Sequence, residues 1–320
     1  MDDFHRLLLQ RAPQRHLVHT ITHHTTWPNI DAQTHACKII HQNAKNVGAQ
    51  YSAEILKKIL KTIHNCELHP PLLDAYVQFS KTAKDQPDQD AFLLTFRLST
   101  TCDLRVRVGN SIGGGAETGL ILWPASLALA SWIYSNRTLL GGLSLCELGA
   151  GVGLPGLVAA AYALPERVLL TDIIPLTLNN LKFNVAMLSS GAAPVQVHHV
   201  DWHQISHNDV PSDDFMMTTI FDVIFGADLV YEPSVLPALC QTIMKLLKTA
   251  ALQSRNPFAI IASEVRSTET WDEFERQMRI SGLQWEDMSG DIRGPIRDSP
   301  FYLADDVLSR IRLLRIRLNP

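Results

Sequence analysis

The feature that most constrains this chain is a run of glycines at the end of a short apolar strand. Leu143 to Leu148 reads as the strand. Its last residues open the run Glu147-Leu-Gly149-Ala-Gly151-Val-Gly153-Leu-Pro-Gly156. Glycine permits a tight turn and lets a ligand approach the backbone. A helix beginning at such a turn offers free N–H groups to an oxygen-rich ligand. Leu157 to Ala163 has the small apolar residues of that helix. The junction predicts a strand–turn–helix unit with a ligand site at the strand's carboxyl end.

The pattern continues on both sides of it. Val168–Thr171, Val195–Val200, Phe221–Phe225 and Phe258–Ala262 read as further strands. Pro175 fits the first turn of a helix whose buried stripe would be Leu178, Leu181, Val185 and Leu188. Leu236, Leu239, Ile243 and Leu246 line another helix, and Thr270 with Glu273 has the form of a capping box for a third. Leu283–Trp285 and Leu313–Leu318 can close the sheet. Such alternation means a parallel sheet with helices on both faces.

Residues 1–83 differ and read as helical. Ser52 is placed to cap a helix with apolar positions Ile55, Leu56, Ile59, Leu60 and Ile63, and Leu72–Phe79 follows Pro70-Pro71 as another. The polar stretch 84–90 predicts a loop or boundary, and Phe92–Arg97 with Leu104–Val108 predicts a hairpin. A length of 320 residues allows one large or two modest domains.

The strand ends carry the candidate chemistry. Gly151-x-Gly153-x-x-Gly156 matches the dinucleotide fingerprint, so the turn alone leaves a nicotinamide cofactor open. Two features favour S-adenosylmethionine. Glu147, just before the glycines, suits a cationic amino-acid head group better than a pyrophosphate. The later strand ends also fit an adenosylmethionine site. Asp172, 21 residues after Gly151, can accept hydrogen bonds from both ribose hydroxyls, in either cofactor. Trp202 can stack on adenine, and Asp201 can contact the adenine amino group. Gly226-Ala227-Asp228-Leu229-Val230-Tyr231 follows the fourth strand, where open sheets bind ligands, so Asp228 and Tyr231 would face the sulfonium and the incoming nucleophile.

Taken in order, GLILWPASLALASWI, ELGAGVGLPG, TD, DW and GADLVY strongly resemble the eukaryotic seven-β-strand protein lysine methyltransferases of the methyltransferase-like 21 type, over about residues 90–320. Within that group the best match is to the enzymes acting on elongation factor 2. The resemblance implies a Rossmann-like class I methyltransferase, with a seven-stranded mostly parallel sheet and an antiparallel final strand. It divides the chain into a helical N-terminal extension, 1–83, and an S-adenosyl-L-methionine-dependent domain, 90–320. It implies that Trp123 lies against the methionine part of the cofactor, Gly149 and Gly151 pass beneath it, Asp172 binds ribose, Trp202 flanks adenine, and Ala227 touches it by its backbone. Asp228 and Tyr231 match the family's D-x-x-Y motif beside the substrate lysine. Arg266 falls where such proteins often place an arginine after the fifth strand.

Other classes find less support. The net charge of −4 gives no reason to expect nucleic-acid affinity. Nine of the thirteen histidines lie in residues 1–83, but no acid or cysteine cluster completes a metal site around His16, His19, His23 and His24. No GxSxG elbow supports serine hydrolase chemistry. A methyltransferase of another protein or of another side chain, and a non-catalytic module that keeps the cofactor fold, stay open. Five widely spaced cysteines without CxxC point to a reducing, cytoplasmic setting. MDDFHRLLLQRAP does not read as a secretory signal, and the apolar run Gly119–Tyr134 is broken by Pro124, so no membrane anchor is expected. The resulting expectation is a monomeric enzyme with a protein substrate, elongation factor 2.

Overall fold

A computed structural model describes residues 2–63, 66–85, 91–109, 118–208, 215–253, 256–294, 296 and 299–320. The boundary loop expected at 84–90 lies largely outside these residues. The chain forms two compact units, Met1–Glu117 and Thr118–Pro320.

The first unit holds helices α1 (Asp2–Leu9), α2 (Gln14–Thr22), α3 (Ile30–Val47), α4 (Ala49–Leu60) and α5 (Pro70–Asp85) with a hairpin of β1 (Ala91–Arg97) and β2 (Asp103–Gly109). The hairpin pairs Phe92 with Val108 and Phe96 with Leu104, and packs on α1 and α3. Ile55, Leu56 and Ile59 are buried as their spacing requires. Ser52 does not cap α4. The helix begins three residues earlier, after Gly48, and the Ser52 hydroxyl bonds back to the Gly48 carbonyl at 2.8 Å. Gly48 has φ of +89°, which lets the chain reverse between α3 and α4.

The second unit begins with α6 (Pro124–Ser135) and α7 (Arg137–Leu140). Its remaining elements are β3 (Ser144–Glu147), α8 (Leu154–Val158), β4 (Arg167–Asp172), α9 (Pro175–Ala186), β5 (Val195–His199), α10 (Trp202–His207), α11 (Phe215–Thr218), β6 (Val223–Ala227), α12 (Leu236–Ala251), β7 (Phe258–Glu264), α13 (Thr268–Ile280), β8 (Leu283–Asp287) and β9 (Ile311–Leu318). The strand order is β5-β4-β3-β6-β7-β9-β8. β3 to β7 pair in parallel, and β9 runs antiparallel between β7 and β8. This is the Rossmann-like sheet that the alternation predicted.

Side chains alternate across such a sheet. Cys146, Leu148, Leu169, Ile224 and Ile261 face one core, into which α12 sends Leu239, Ile243 and Leu246, and α13 sends Phe274 and Met278. Pairs of such large side chains, each worth about 1.5–3 kcal/mol when fully buried, anchor the two helices. On the opposite face lie α8 and α6. α6 is apolar all round, and Ala125, Ala128, Leu129, Trp132 and Ile133 are buried. From Pro124 on, the run Gly119–Tyr134 is therefore a core helix. No helix among the described residues is long and apolar enough to cross a membrane.

Two local expectations are corrected. The buried face of α9 is Thr177, Asn180, Leu181 and Asn184, not an aliphatic stripe. Of its polar members, Asn184 reaches the glycine turn, where its Nδ2 donates to the Val152 carbonyl at 2.9 Å, and Thr177 lies against Gly119. The cap of α13 is Ser267, whose hydroxyl accepts from the Thr270 N–H, while Glu273 pairs with Arg276 and Gln277 inside the helix.

Candidate active site

β3 leads out of the sheet between β4 and β6, and the chain departs to opposite sides from there. This switch point opens a crevice at the strands' carboxyl ends. A cleft of about 280 Å³ occupies it, lined entirely from the second unit.

Each wall has a local cause. Trp123 precedes Pro124, the first residue of α6, and its indole N–H donates to the Thr118 carbonyl at 3.0 Å. Gly149 and Gly151 have φ of +54° and +55°, the left-handed region that favours glycine. A Cβ at Gly149 would lie 2.7 Å from Leu229 Cδ2 and 3.3 Å from the Trp202 ring, so its absence leaves the floor of the cleft open. Asp172 ends β4. Its Oδ2 accepts the Gly151 N–H and its Oδ1 the Ile174 N–H, both at 3.1 Å.

Trp202 does not end a strand. β5 stops at His199, Asp201 caps α10 by accepting the His203 N–H at 2.8 Å, and Trp202 is the first residue of that helix. The Lys245 ammonium holds the far end of α10 through the Ile205 and Ser206 carbonyls, at 2.6 and 3.0 Å. Ala227 ends β6. Asp228 follows with φ of +59°, a conformation that aspartate tolerates better than most residues. Its side chain turns inward beside β7, and Tyr231 stays 62% exposed at the rim.

Ten residues singled out in the sequence thus share one cleft: Trp123, Gly149 and Gly151; Asp172, Asp201 and Trp202; Ala227, Asp228 and Tyr231; and Arg266. Glu147 is not among them. Its side chain points to the α8 face of the sheet, is 1% exposed, and accepts the Gly156 N–H at 2.9 Å. Burial raises its pKa well above the glutamate range, against the pull of that hydrogen bond. Sequence reasoning overlooked Gly119, Ile173, Ile174 and His203, which also line the cleft. The apolar pair after Asp172 was a usable signal, since it follows a strand-end acid.

Burial also raises Asp172, opposed by the Ile174 and Gly151 N–H groups. Burial raises Asp228, opposed first by the charge of Arg266. Partial burial raises the Tyr231 phenol, and Asp172 and Glu232 add to the effect.

The glycine turn decides between the two cofactor chemistries. A pyrophosphate needs free N–H groups at such a turn. Here Ala150 N–H bonds to the Thr171 carbonyl, Gly151 N–H to Asp172, Gly153 N–H to the Ala150 carbonyl, and Gly156 N–H to Glu147. The cleft also presents three carboxylates, Asp172, Asp201 and Asp228. Its arginine, Arg266, is already paired with Asp228. That lining repels a polyanion and suits a ligand carrying ribose hydroxyls, a flat base and positive charge, which are the parts of S-adenosylmethionine.

Comparison with known proteins agrees with this chemistry. The model of a family described as lysine methyltransferase matches residues 104–279. The human protein-lysine N-methyltransferase EEF2KMT is 25% identical over 304 residues, which cover 88% of this chain and 89% of that protein. An uncharacterized protein of Dictyostelium discoideum is 27% identical over 204 residues, 57% of this chain and only 55% of that protein. The calmodulin-lysine N-methyltransferase of Arabidopsis thaliana is 28% identical over 174 residues, 53% of each chain.

Proposed function

The chain belongs to the lysine methyltransferase family, an S-adenosylmethionine-dependent family of enzymes, and from that premise we propose that it methylates a lysine of elongation factor 2 in the cytoplasm. The observation that carries the cofactor reading is a glycine turn whose Ala150, Gly151, Gly153 and Gly156 N–H groups are already bonded within the chain, beside three carboxylates. The choice of substrate is supported by the likeness to EEF2KMT along most of both chains.

When bound, S-adenosylmethionine supplies a methyl group that a neutral lysine amine takes up, with S-adenosylhomocysteine as the second product. In this reading Asp172 accepts from the ribose hydroxyls and Trp202 covers one face of the adenine, with Asp201 near its edge. Trp123, Gly149, Gly151 and the Ala227 backbone shape the remainder of the cofactor site. Glu147 acts from behind the turn, holding the amino end of α8. Asp228 accepts a hydrogen bond from the target amine and aligns its lone pair, and Tyr231 forms the mouth of the lysine channel.

Free lysine has a pKa near ~10.4, so the chain must favour the neutral amine. Desolvation in the cleft does this, and the departing proton passes to solvent at the exposed rim. Holding the amine in line supplies much of the rate.

The test is transfer of labelled methyl from S-adenosylmethionine to purified, unmethylated elongation factor 2. Stoichiometric labelling of one lysine is the expected result. Labelling of a different protein in a whole lysate, with elongation factor 2 left unlabelled, replaces the substrate but keeps the enzyme class. Binding of the cofactor with no transfer to any protein leaves a non-catalytic module.

A further inference from the structure

A buried carboxylate and an aromatic face are the partners that chemistry selects for a lysine ammonium. In this cleft both are held by a cation of the chain itself. Arg266 Nη2 donates to Asp228 Oδ2 at 2.5 Å, and its guanidinium carbon lies 4.8 Å from the Trp123 ring centroid. The other oxygen of Asp228 accepts from Ser263 Oγ at 3.4 Å and the Glu264 N–H at 3.3 Å. Arg266 is anchored in turn. Its Nε donates to Glu264 Oε2 at 3.2 Å, and Glu264 Oε1 accepts from Arg310 Nε at 2.9 Å. Arg310, Glu264, Arg266 and Asp228 form a chain of two guanidiniums and two carboxylates, formally neutral. Among the described residues, the other ionisable groups around the cleft are Asp172, Asp201, His203 and Tyr231, with Glu232 beyond the rim and Glu269 bonded to Ser267 at the start of α13.

We propose that Arg266 remains on Asp228 during turnover as its counter-cation, so that the site accepts the target lysine as the neutral amine. The proposal rests on the methyltransferase reading above. Its physical basis is charge balance. An unpaired Asp228 would stabilise an ammonium, the unreactive form, by direct ion pairing. At Asp228 itself, with Arg266 in place, an ammonium is a third cation beside the two anions of that chain, where low dielectric magnifies the local repulsion, while Asp172 and Asp201, in the reading above, face the cofactor instead. A neutral amine enters without that penalty. It donates one N–H to Asp228 and keeps its lone pair for the methyl carbon. The guanidinium suits this role because it stays protonated at every working pH and is fixed at two points. Arg266 is thus a positioning residue that acts through Asp228.

The test compares the full chain with Arg266→Gln and Arg266→Lys; the Arg266 side chain is 42% exposed, so both should fold. The first readout is kcat against pH on a protein substrate labelled by the wild type. Removing the cation should move the acid limb of the Arg266→Gln profile up by about one pH unit, with the rate recovering at higher pH. Arg266→Lys should stay close to wild type. An unmoved limb overturns the proposal. So does a rate raised at all pH values with a lower KM, which would make Arg266 a plug that the lysine displaces.

The second readout needs no turnover. Calorimetric affinities for S-adenosylmethionine, with its cationic sulfur, and S-adenosylhomocysteine, with a neutral one, are compared in each protein. Arg266→Gln should shift their ratio about threefold or more toward the cation. An unchanged ratio overturns the proposal even if that variant is inactive. A wild type that binds the cofactor and labels no protein sinks the reading of the enzyme, and the ratio still decides the charge balance.

Discussion

Asp172 Oδ2 accepts the Gly151 N–H at 3.1 Å, so the end of β4 and the glycine turn form one rigid corner of the cleft. The same carboxylate uses Oδ1 to hold the Ile174 N–H before α9. Its remaining lone pairs face the cleft, and they do so because the backbone has fixed its rotamer.

Asp172→Ala removes the proposed ribose acceptor and both backbone ties. Hydrogen bonds to a charged group contribute about 1.5–3 kcal/mol each, so cofactor affinity should fall about 10- to 100-fold or more. Calorimetry with S-adenosylmethionine checks this. Unchanged affinity would exclude Asp172 from the cofactor site.

Gly149→Ala forces a Cβ into left-handed backbone, 2.7 Å from Leu229 Cδ2 and 3.3 Å from the Trp202 ring. The strain should lower stability by about 1–3 kcal/mol and weaken the cofactor as Trp202 moves. Gly191→Ala is the control, since a Cβ there meets nothing within 4 Å. Denaturant unfolding of both variants, each with and without cofactor, separates strain from lost binding.

Glu147 leads to a pH prediction. Its folded pKa lies well above the ordinary glutamate value, with burial as the main cause. The folded state therefore binds its proton more tightly than the unfolded chain. That contribution to stability is complete below the ordinary glutamate range and is lost as pH rises through the raised folded value. Glu147→Gln keeps an acceptor for the Gly156 N–H and has no such loss. The melting temperature of the variant minus that of the wild type should grow from about pH 5 to about pH 8. A difference independent of pH would show that Glu147 does not titrate in the fold.

Asp228→Asn retains a residue that tolerates positive φ, so the fold should survive. It removes the charge proposed to align the amine, and the anion that pairs with Arg266. Methyl transfer should fall at least about a hundredfold, with cofactor affinity within a few-fold of wild type. Full turnover in this variant would remove Asp228 from the chemistry.

How much of this could be read without coordinates follows from what each feature depends on. The strands were legible because each is a short apolar run that stops at a turn residue or an acid, as β4 stops at Asp172 and β6 at Ala227-Asp228. Their convergence followed from the parallel alternation. The direction of Glu147 was not legible. It depends on the pleat, which sends Cys146 and Leu148 to one core and Glu147 to the other face. Nor was the polar buried face of α9, since Asn184 is buried where it reaches the Val152 carbonyl of the glycine turn and Thr177 lies against Gly119. Helix ends slipped by about three residues at α4 and α13, where Gly48 and Ser267 competed with equally plausible caps. The Asp228–Arg266 pair spans 38 residues and exists only because β6 and β7 are neighbours in the sheet.

The central claim is that Asp172 at the end of β4, Trp202 at the start of α10 and Asp228 just after β6 form one site that transfers a methyl group to a lysine of a protein. The most direct measurement incubates the purified chain and its Asp228→Asn variant with methyl-labelled S-adenosylmethionine and unmethylated cell protein, followed by acid hydrolysis and amino-acid analysis. The account predicts label in methylated lysine with the wild type and almost none with the variant. Label recovered in another amino acid, or equal label from both proteins, contradicts it.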